Sequence, residues 1–294
     1  MNGIAINEEF LQQVEALQTV VKNNVAGLFG GNHQSKTYGS SSEFADYRDY
    51  IAGDDITKID WNAYARFEKL YLKLYLDERQ LHTKIYIDAS RSMGYGRGKK
   101  DIQALRFAAT LAYLSISEMD KVSVFVIREN GLEEVISSML GKESYVNEIG
   151  KLNQIEFYGD SRISEAILPS TVGFGDGLSV IISDFLTEND FENAVTYLVG
   201  KKRDVFCAQI LSAEELNPKA RGKLHFFDSE NSDRFYRKNI NREIIQAYKK
   251  ALEYVQERIR NLCLSRGAEY LLIPADEPVT EVFFNKLVSM GVLK

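Results

Sequence analysis

The sequence has few of the residues that build disulfide frameworks, zinc clusters and histidine-based active sites. It contains 2 cysteines, 3 histidines and 4 prolines among 294 residues. Cys207 and Cys263 lie far apart in apolar stretches, which excludes a CxxC motif and predicts two buried free thiols. The histidines, His33, His82 and His225, are scattered and no G-x-S-x-G motif accompanies them. Nothing in the sequence therefore supports Ser-His-Asp catalysis.

Long apolar runs and a strong excess of one charge are also absent. No apolar run approaches the roughly 20 residues that span a bilayer, and the start, MNGIAINEEF, lacks the basic and apolar regions of a signal peptide. The net charge of −6 does not favour nucleic acid or an anionic membrane surface as a partner. We therefore expect a cytoplasmic protein that binds no nucleic acid and does not insert into a membrane.

What the chain does contain is an alternation of short apolar strands with helical patterns. Such alternation is typical of an α/β protein with a doubly wound, mostly parallel, Rossmann-like sheet flanked by helices. The predicted strands cover 83–88, 121–127, 178–183, 204–211 and 268–273, and the predicted helices 7–26, 101–119, 142–153, 162–168, 189–200, 241–265 and 279–290.

The N-terminal part differs in character from this alternation. Residues 1–79 are expected to form a helix and an extension that packs on an α/β domain of residues 80–294. The stretch 30–66 lacks a clean hydrophobic period and is predicted to be irregular. Residues 70–76 suggest a strand, and the polar interlude 212–240 a short strand pair. The basic residues 201–203 fit a solvated helix C-terminus.

The first informative motif is Asp88-Ala-Ser90-Arg-Ser92, which follows directly on a predicted apolar strand. In an open α/β sheet, the loops at the carboxyl ends of the strands form the ligand crevice. Alternate residues of this turn can direct one carboxylate and two hydroxyls, all hard oxygen donors, toward one point. Magnesium prefers such donors in octahedral geometry.

Two further segments strengthen the motif, which is weak alone because small polar residues commonly form turns. Asp184 ends a second apolar strand, and Ser161 begins a helix in a loop between strands. Two carboxylates and three hydroxyls on three strand-to-helix loops predict a site for one Mg²⁺ or Mn²⁺ ion.

The order D-x-S-x-S, then Ser or Thr, then Asp resembles the metal-ion-dependent adhesion site of von Willebrand factor A (vWA) domains. The stretches SSEFADYRDYIAGDDITKIDWNAYAR, YLDERQLHTKIYIDASRSM and AEELNPKARGKLHFFD also resemble the bacterial DUF58 family. The resemblance covers roughly residues 27–280, and its motifs are long enough to be specific.

The resemblance implies a role for each matching residue. Asp88, Ser90 and Ser92 would be first-loop ligands, and Asp184 a third-loop carboxylate that often acts through water. Ser161 stands where such domains usually have threonine, so it keeps the hydroxyl but loses the β-branch that stiffens the side chain. The neighbouring Ser164 and Asp160 remain alternatives for this second-loop contact.

The resemblance also implies a partner. DUF58 proteins are typically encoded beside MoxR-type AAA+ ATPases and are thought to act with them as adaptors in protein assembly or maturation. The basic residues Arg97, Lys99 and Lys100 in the loop after the motif could meet acidic groups of such a partner. This loop is not a Walker A motif, because Met93 and Lys100 occupy positions that require glycine and a hydroxyl residue.

These observations leave two functional hypotheses open. The first is a non-enzymatic, metal-dependent protein-binding module whose ion is completed by a partner's acidic residue. The alternative is a magnesium-dependent hydrolase of phosphate esters, although no general base or nucleophile is evident beside the ligands. Separately, Asp54, Asp55 and Asp60 could form a second metal site or a structural network with Arg48 and Arg66.

Overall fold

The structure of the protein is a computed structural model. It describes residues 5–24, 44–75, 81–94, 99–129, 131–170, 172, 175, 177–186, 191–219, 222–227 and 235–283, and the statements below concern this part of the chain. The strands are β1 Phe44–Asp49, β2 Tyr71–Tyr75, β3 His82–Asp88, β4 Lys121–Arg128, β5 Gly131–Met139, β6 Leu178–Ser183, β7 Asp204–Leu211, β8 Gly222–Phe227, β9 Phe235–Ile240 and β10 Glu269–Pro274. The α-helices are α1 Glu8–Asn24, α2 Trp61–Phe67, α3 Arg91–Gly94, α4 Lys100–Ser117, α5 Gly141–Glu148, α6 Ile163–Ile167, α7 Glu192–Gly200, α8 Ala213–Leu216, α9 Arg242–Ser265 and α10 Val279–Glu281.

Six strands form the central sheet in the order β10-β7-β6-β3-β4-β5. All neighbouring pairs are parallel except β4 and β5. The near-continuous apolar sequence of the inner strands explains this arrangement, because a parallel sheet buries both of its faces under helices. Ile85 and Ile87 of β3 belong to one core cluster and Tyr86, between them, to the other. The predicted fold class, a doubly wound and mostly parallel α/β sheet, is confirmed.

Helix α4 packs across one face of this sheet and is buried on almost every side. Ala104, Ala108 and Ala112 have no exposed surface, which fits their small side chains at a close approach to the strands. Phe107 stacks on Phe206 of β7 with ring centroids 6.3 Å apart and lies 5.2 Å from the ring of Phe283. Because α4 begins with Lys100, this packing fixes where the loop after β3 returns to the sheet.

Two regions differ from the sequence-based predictions. The stretch 30–66 is not irregular throughout, since its described part contains β1, which pairs with β2, and helix α2. Strand β5 was not predicted, because it is an antiparallel edge strand with exposed polar positions and no continuous apolar run. The predicted helix 279–290 agrees with the structure as far as it is described, since α10 is followed by two residues in π-helical conformation, 282–283, and positions 284–290 lie outside the described residues.

Helix α1 and the strands β8 and β9 lie outside the central sheet. Phe10, Val14 and Leu17 of α1 are buried in the core cluster that also contains α4. Strands β8 and β9 form the antiparallel pair predicted within 212–240. The boundary between an extension, residues 1–79, and a domain, residues 80–294, stays a prediction.

The amino-terminal edge of the sheet is closed by a buried arginine. Arg203 is 6% exposed and donates hydrogen bonds to the Ser179 hydroxyl at 2.6 Å and to the carbonyls of Leu178 and His82. The expectation that residues 201–203 form a solvated run is therefore wrong for Arg203, which donates hydrogen bonds to main-chain acceptors at the strand ends.

Cys207 and Cys263 are buried free thiols, as predicted. Among the described residues, no helix has the length and apolar character needed to cross a membrane.

Candidate functional site

The predicted ligands meet where the strand order reverses. Strand β3 has β4 on one side and β6 on the other, although β6 follows only after two intervening strands. Because the loops after β3 and β6 leave in opposite directions, they open a crevice at the carboxyl edge of the sheet. Asp88 is the last residue of β3, and Asp184 immediately follows β6.

The loop after β3 forms a tight turn around the carboxylate of Asp88. One oxygen, Oδ1, accepts a hydrogen bond from the Ser90 backbone N–H at 2.9 Å. The Oγ atoms of Ser90 and Ser92 lie 3.1 Å apart. Asp88 and Ser90 have no exposed surface, whereas Ser92 is partly exposed. Gly94 permits the loop to lie against Phe157, since a Cβ at Gly94 would come within 2.5 Å of the Phe157 Cβ.

The second loop brings Ser161 to the same carboxylate. Ser161 is fully buried, and its hydroxyl lies near enough to Asp88 to lower the pKa of that carboxyl. The alternatives point elsewhere: the hydroxyl of Ser164 accepts from the Ala194 N–H at 3.1 Å, and Asp160 accepts from the Ser161 N–H at 2.8 Å. Within this loop, Ser161 is therefore the residue whose side chain reaches Asp88.

The third loop reaches Asp88 through a residue that the sequence did not indicate. The Ser183 hydroxyl donates to Oδ2 of Asp88 at 2.5 Å and accepts from the Phe185 N–H at 3.0 Å. Asp184 is fully buried, and its Oδ1 accepts from the Leu186 N–H at 3.1 Å. Ser183 could have been found from its position, because it is the last residue of an apolar strand beside an aspartate.

Lys100 lies inside the cluster. Its ammonium nitrogen is 2.8 Å from Oδ2 of Asp184 and 2.7 Å from Oε1 of Glu215, and the residue is only 4% exposed. Glu215 belongs to α8, the short helix after β7, and its other oxygen accepts from the Ser212 N–H at 2.7 Å as part of a capping box. Lys100 is thus buried at the start of α4, where two carboxylates compensate its charge in the interior.

The other basic residues of this loop are Lys99 and Arg97. Lys99 is exposed at the N-cap position of α4, with a backbone φ of 53°. Arg97 lies outside the described residues. The predicted contact of Arg97, Lys99 and Lys100 with a partner stays a prediction.

Electrostatics distinguish Asp88 from the other carboxylates of the cluster. Burial raises its pKa, and the nearby charge of Asp184 raises it further, while hydrogen bonds from Ser183, Ser161 and Ser90 act in the opposite direction. Within the described part of the chain, no lysine, arginine or histidine forms an ion pair with Asp88. A buried carboxylate of this kind favours a cation beside it.

The donor set around Asp88 fits a divalent cation. Adjacent ligands of an octahedral magnesium ion at about 2.0–2.1 Å lie about 2.9 Å apart, close to the 3.1 Å between the Oγ atoms of Ser90 and Ser92. Without a metal, the same distance is a hydrogen bond. The residues that could hold the ion are Asp88, Ser90, Ser92 and Ser161. Asp184 could join them only by giving up its bond to Lys100.

Among the described residues, no group of three or more Asp, Glu, Cys or His side chains is placed to hold a metal ion, either at Asp88 or around Asp54, Asp55 and Asp60. Asp54 pairs with Arg48 at 2.8 Å, and Asp60 accepts from the Tyr47 hydroxyl at 2.7 Å. Asp55 caps a short 3-10 turn through Thr57. These contacts are those of a structural network.

Two comparisons relate the sequence to known proteins. The family model described as "Protein of unknown function DUF58" matches residues 46–258. The uncharacterized proteins Rv1480 of Mycobacterium tuberculosis and Mb1516 of Mycobacterium bovis are each 23% identical over 214 residues, which cover 70% of this chain. The match spans 65% of the length of either mycobacterial protein.

Comparison with solved structures finds similar chains at low identity. BatB from Bacteroides thetaiotaomicron matches 72% of this chain and 98% of its own, with a TM-score of 0.42 and 15% identity. The VWA domain of SpRpn10 matches 71% of this chain and 95% of its own, with a TM-score of 0.39 and 10% identity.

Proposed function

The chain belongs to the DUF58 family, and on this premise we propose that it is a non-enzymatic protein-binding module that requires a divalent metal. It would act in the cytoplasm as an adaptor for a MoxR-type AAA+ ATPase in protein assembly or maturation. The proposal rests on one observation: Asp88 is a fully buried carboxylate without a cationic partner among the described residues, surrounded by serine hydroxyls.

The charges of the cluster support binding of an acidic group. A bound Mg²⁺ or Mn²⁺ ion would supply a coordination position that an aspartate or glutamate of the partner completes. Of the two aspartates, Asp88 contributes its negative charge to the ion, whereas the charge of Asp184 is already compensated by Lys100. Serine hydroxyls at Ser90, Ser92 and Ser161 bring no charge. The cluster therefore leaves a divalent ion undersaturated, and a partner's carboxylate makes a charge-assisted contact.

A partner can reach the candidate metal site only from the side of its partly exposed residue. Asp88, Ser90, Ser161 and Asp184 have no exposed surface, whereas Ser92 is partly exposed. An acidic group would thus approach from the side of Ser92, and deeper contact requires movement of the loop after β3. Such single-point attachment is weak alone, so surrounding contacts must supply the interface area. The exposed Lys99 could steer the acidic partner.

The test measures metal and partner binding on the same variants. Titration calorimetry with Mn²⁺ should show binding to the wild type and none to Asp88→Ala. Binding to a cognate MoxR-type ATPase should require Mg²⁺, weaken in EDTA and fall at least tenfold in Asp88→Ala or Ser90→Ala, which corresponds to about 1.4 kcal/mol.

The matched control reverses a charge at the opposite edge of the sheet. Lys201→Glu lies at the C-terminus of α7, before β7, and should leave both affinities unchanged. Arg203 is unsuitable as a control because it is buried. Equal ATPase binding in EDTA would contradict the metal-dependent mechanism, and turnover of p-nitrophenyl phosphate that Asp88→Ala abolishes would favour the phosphohydrolase alternative.

A further inference from the structure

Lys100 places a permanent cation against a carboxylate of the candidate metal site. Its ammonium lies 2.8 Å from Asp184 and 2.7 Å from Glu215, and the lysine is 4% exposed. These distances are those of charge-assisted hydrogen bonds. With Oδ1 of Asp184 accepting from the Leu186 N–H, both oxygens of this carboxylate already have donors.

The position of the ammonium follows from the backbone. Lys100 is the first residue of α4, whose apolar length is buried against the sheet. Its side chain therefore reaches from the loop after β3 to the residues that follow β6 and β7. Core packing of α4 therefore fixes the point from which the Lys100 side chain extends toward Asp184 and Glu215.

The cluster is left with an excess of negative charge. Asp88, Asp184 and Glu215 contribute three carboxylates against the one ammonium of Lys100, so the formal charge is −2 when all are ionised. A divalent cation would neutralise this excess. However, a cation that recruits Asp184 must first separate it from Lys100, and an unpaired ammonium in the interior is costly.

We propose that Lys100 is a positioning residue that competes with the metal ion for Asp184 and thereby sets the metal affinity. Glu215 retains the ammonium when Asp184 turns to the metal, so Lys100 never becomes an unpaired buried charge. This inference rests on the proposed metal site and adds to it a determinant that lies outside the ligand set.

The two partners of the ion pair should affect metal binding in opposite directions. Lys100→Met frees Asp184, so the affinity for Mn²⁺ should rise at least tenfold. Glu215→Gln leaves Asp184 as the sole anionic partner of Lys100, so Asp184 should be harder to recruit and the Mn²⁺ affinity should fall severalfold. Lys201→Met removes one positive charge at the opposite edge of the sheet and should leave the affinity unchanged. All four proteins would be titrated with Mn²⁺ by calorimetry, with Asp88→Ala as the variant without a site.

Thermal unfolding provides the second readout. In EDTA, Lys100→Met should melt below the wild type, because it leaves Asp184 buried and unpaired, and Mn²⁺ should raise its melting temperature more than that of the wild type. Glu215→Gln keeps Lys100 paired with Asp184, so it continues the test even if Lys100→Met does not fold without metal.

The outcomes separate this inference from the metal site itself. If wild type and Lys100→Met bind Mn²⁺ equally while Asp88→Ala does not, the competition is refuted and the metal site stands. Binding by Lys100→Met but not by the wild type would support the inference, with Lys100 keeping the site closed. Absence of binding in both folded proteins would overturn the inference and the metal site together.

Discussion

Two aspartates that look alike in the sequence have different surroundings in the fold. Asp88 and Asp184 each come at the end of a buried apolar strand, and both are fully buried. Asp88 is held by the hydroxyl of Ser183 and the N–H of Ser90, whereas Asp184 is paired with the ammonium of Lys100. Hydroxyls stabilise a carboxylate less than a full opposite charge does. Of the two, Asp88 is therefore the one that no cationic side chain among the described residues compensates.

A histidine at the other end of β3 is expected to make stability depend on pH. Burial, together with the charges of Lys84, Arg203 and Lys121, lowers the pKa of His82 to about 4. The folded state thus binds fewer protons than the unfolded state between pH 4 and about 6.5. Because protonation favours the unfolded chain in this window, stability should fall as the pH drops through it.

The measurement is urea unfolding of wild type and His82→Gln at pH 7 and pH 5. Because His82 is partly exposed, solvent screening reduces the full effect of its lowered pKa, and we expect the wild type to lose up to about 1 kcal/mol more than His82→Gln over this interval. The glutamine can still reach the hydroxyl of Ser123, which lies 2.9 Å from Nε2 of His82. Equal losses in the two proteins would show that His82 is not the group responsible.

At the scale of elements, α4 is expected to be the most sensitive helix to loss of volume. Phe107 has no exposed surface and its ring packs against those of Phe206 and Phe283. Phe107→Ala should cost about 3–5 kcal/mol in unfolding free energy, since the cavity can close only partly. Phe67→Ala in α2 is the control, because Phe67 is 66% exposed and should change stability by less than about 0.5 kcal/mol. A similar, small cost for both would contradict the packing described for α4.

The elements that the sequence predicted well share a physical feature. The strands at 178–183 and 204–211 were predicted to the residue because both are apolar runs with clear polar boundaries. Strand β5 and helix α2 were missed, since an edge strand has no continuous apolar run and a helix of 7 residues depends on its Asp60 cap. Their stability comes from contacts that are distant in sequence, which local patterns do not contain.

The same distinction holds within the site. Asp88 and Asp184 could be predicted because parallel strands bring their carboxyl ends to one edge. The ion pairs of Lys100 could not, because they depend on the length of a side chain and on the position of α8 directly after β7. Glu215 had a local signal, the S-x-x-E capping box that begins at Ser212, but this signal predicts a helix start and not a contact.

For the whole molecule, metal binding should appear as added stability. A ligand that binds only the folded state stabilises it by about 2.7 kcal/mol at a concentration of 100 times its dissociation constant. Mn²⁺ at that excess should therefore raise the unfolding free energy of the wild type by about this amount, and EDTA should reverse the effect. Asp88→Ala should show no such increase, because it removes the carboxylate on which the site depends. Stabilisation of both proteins would indicate metal binding elsewhere.

The ion pairs of Lys100 also have a consequence for how the chain folds during synthesis. Lys100 contacts Asp184, 84 residues further along, and Glu215, 115 residues further along. During synthesis, Asp184 leaves the ribosome before Glu215, and contacts between distant residues form late because closing long loops costs chain entropy. A nascent chain that ends before α8 would hold Lys100 on Asp184 alone. On the proposed competition, the crevice would then bind a cation more weakly until the chain beyond β7 has folded.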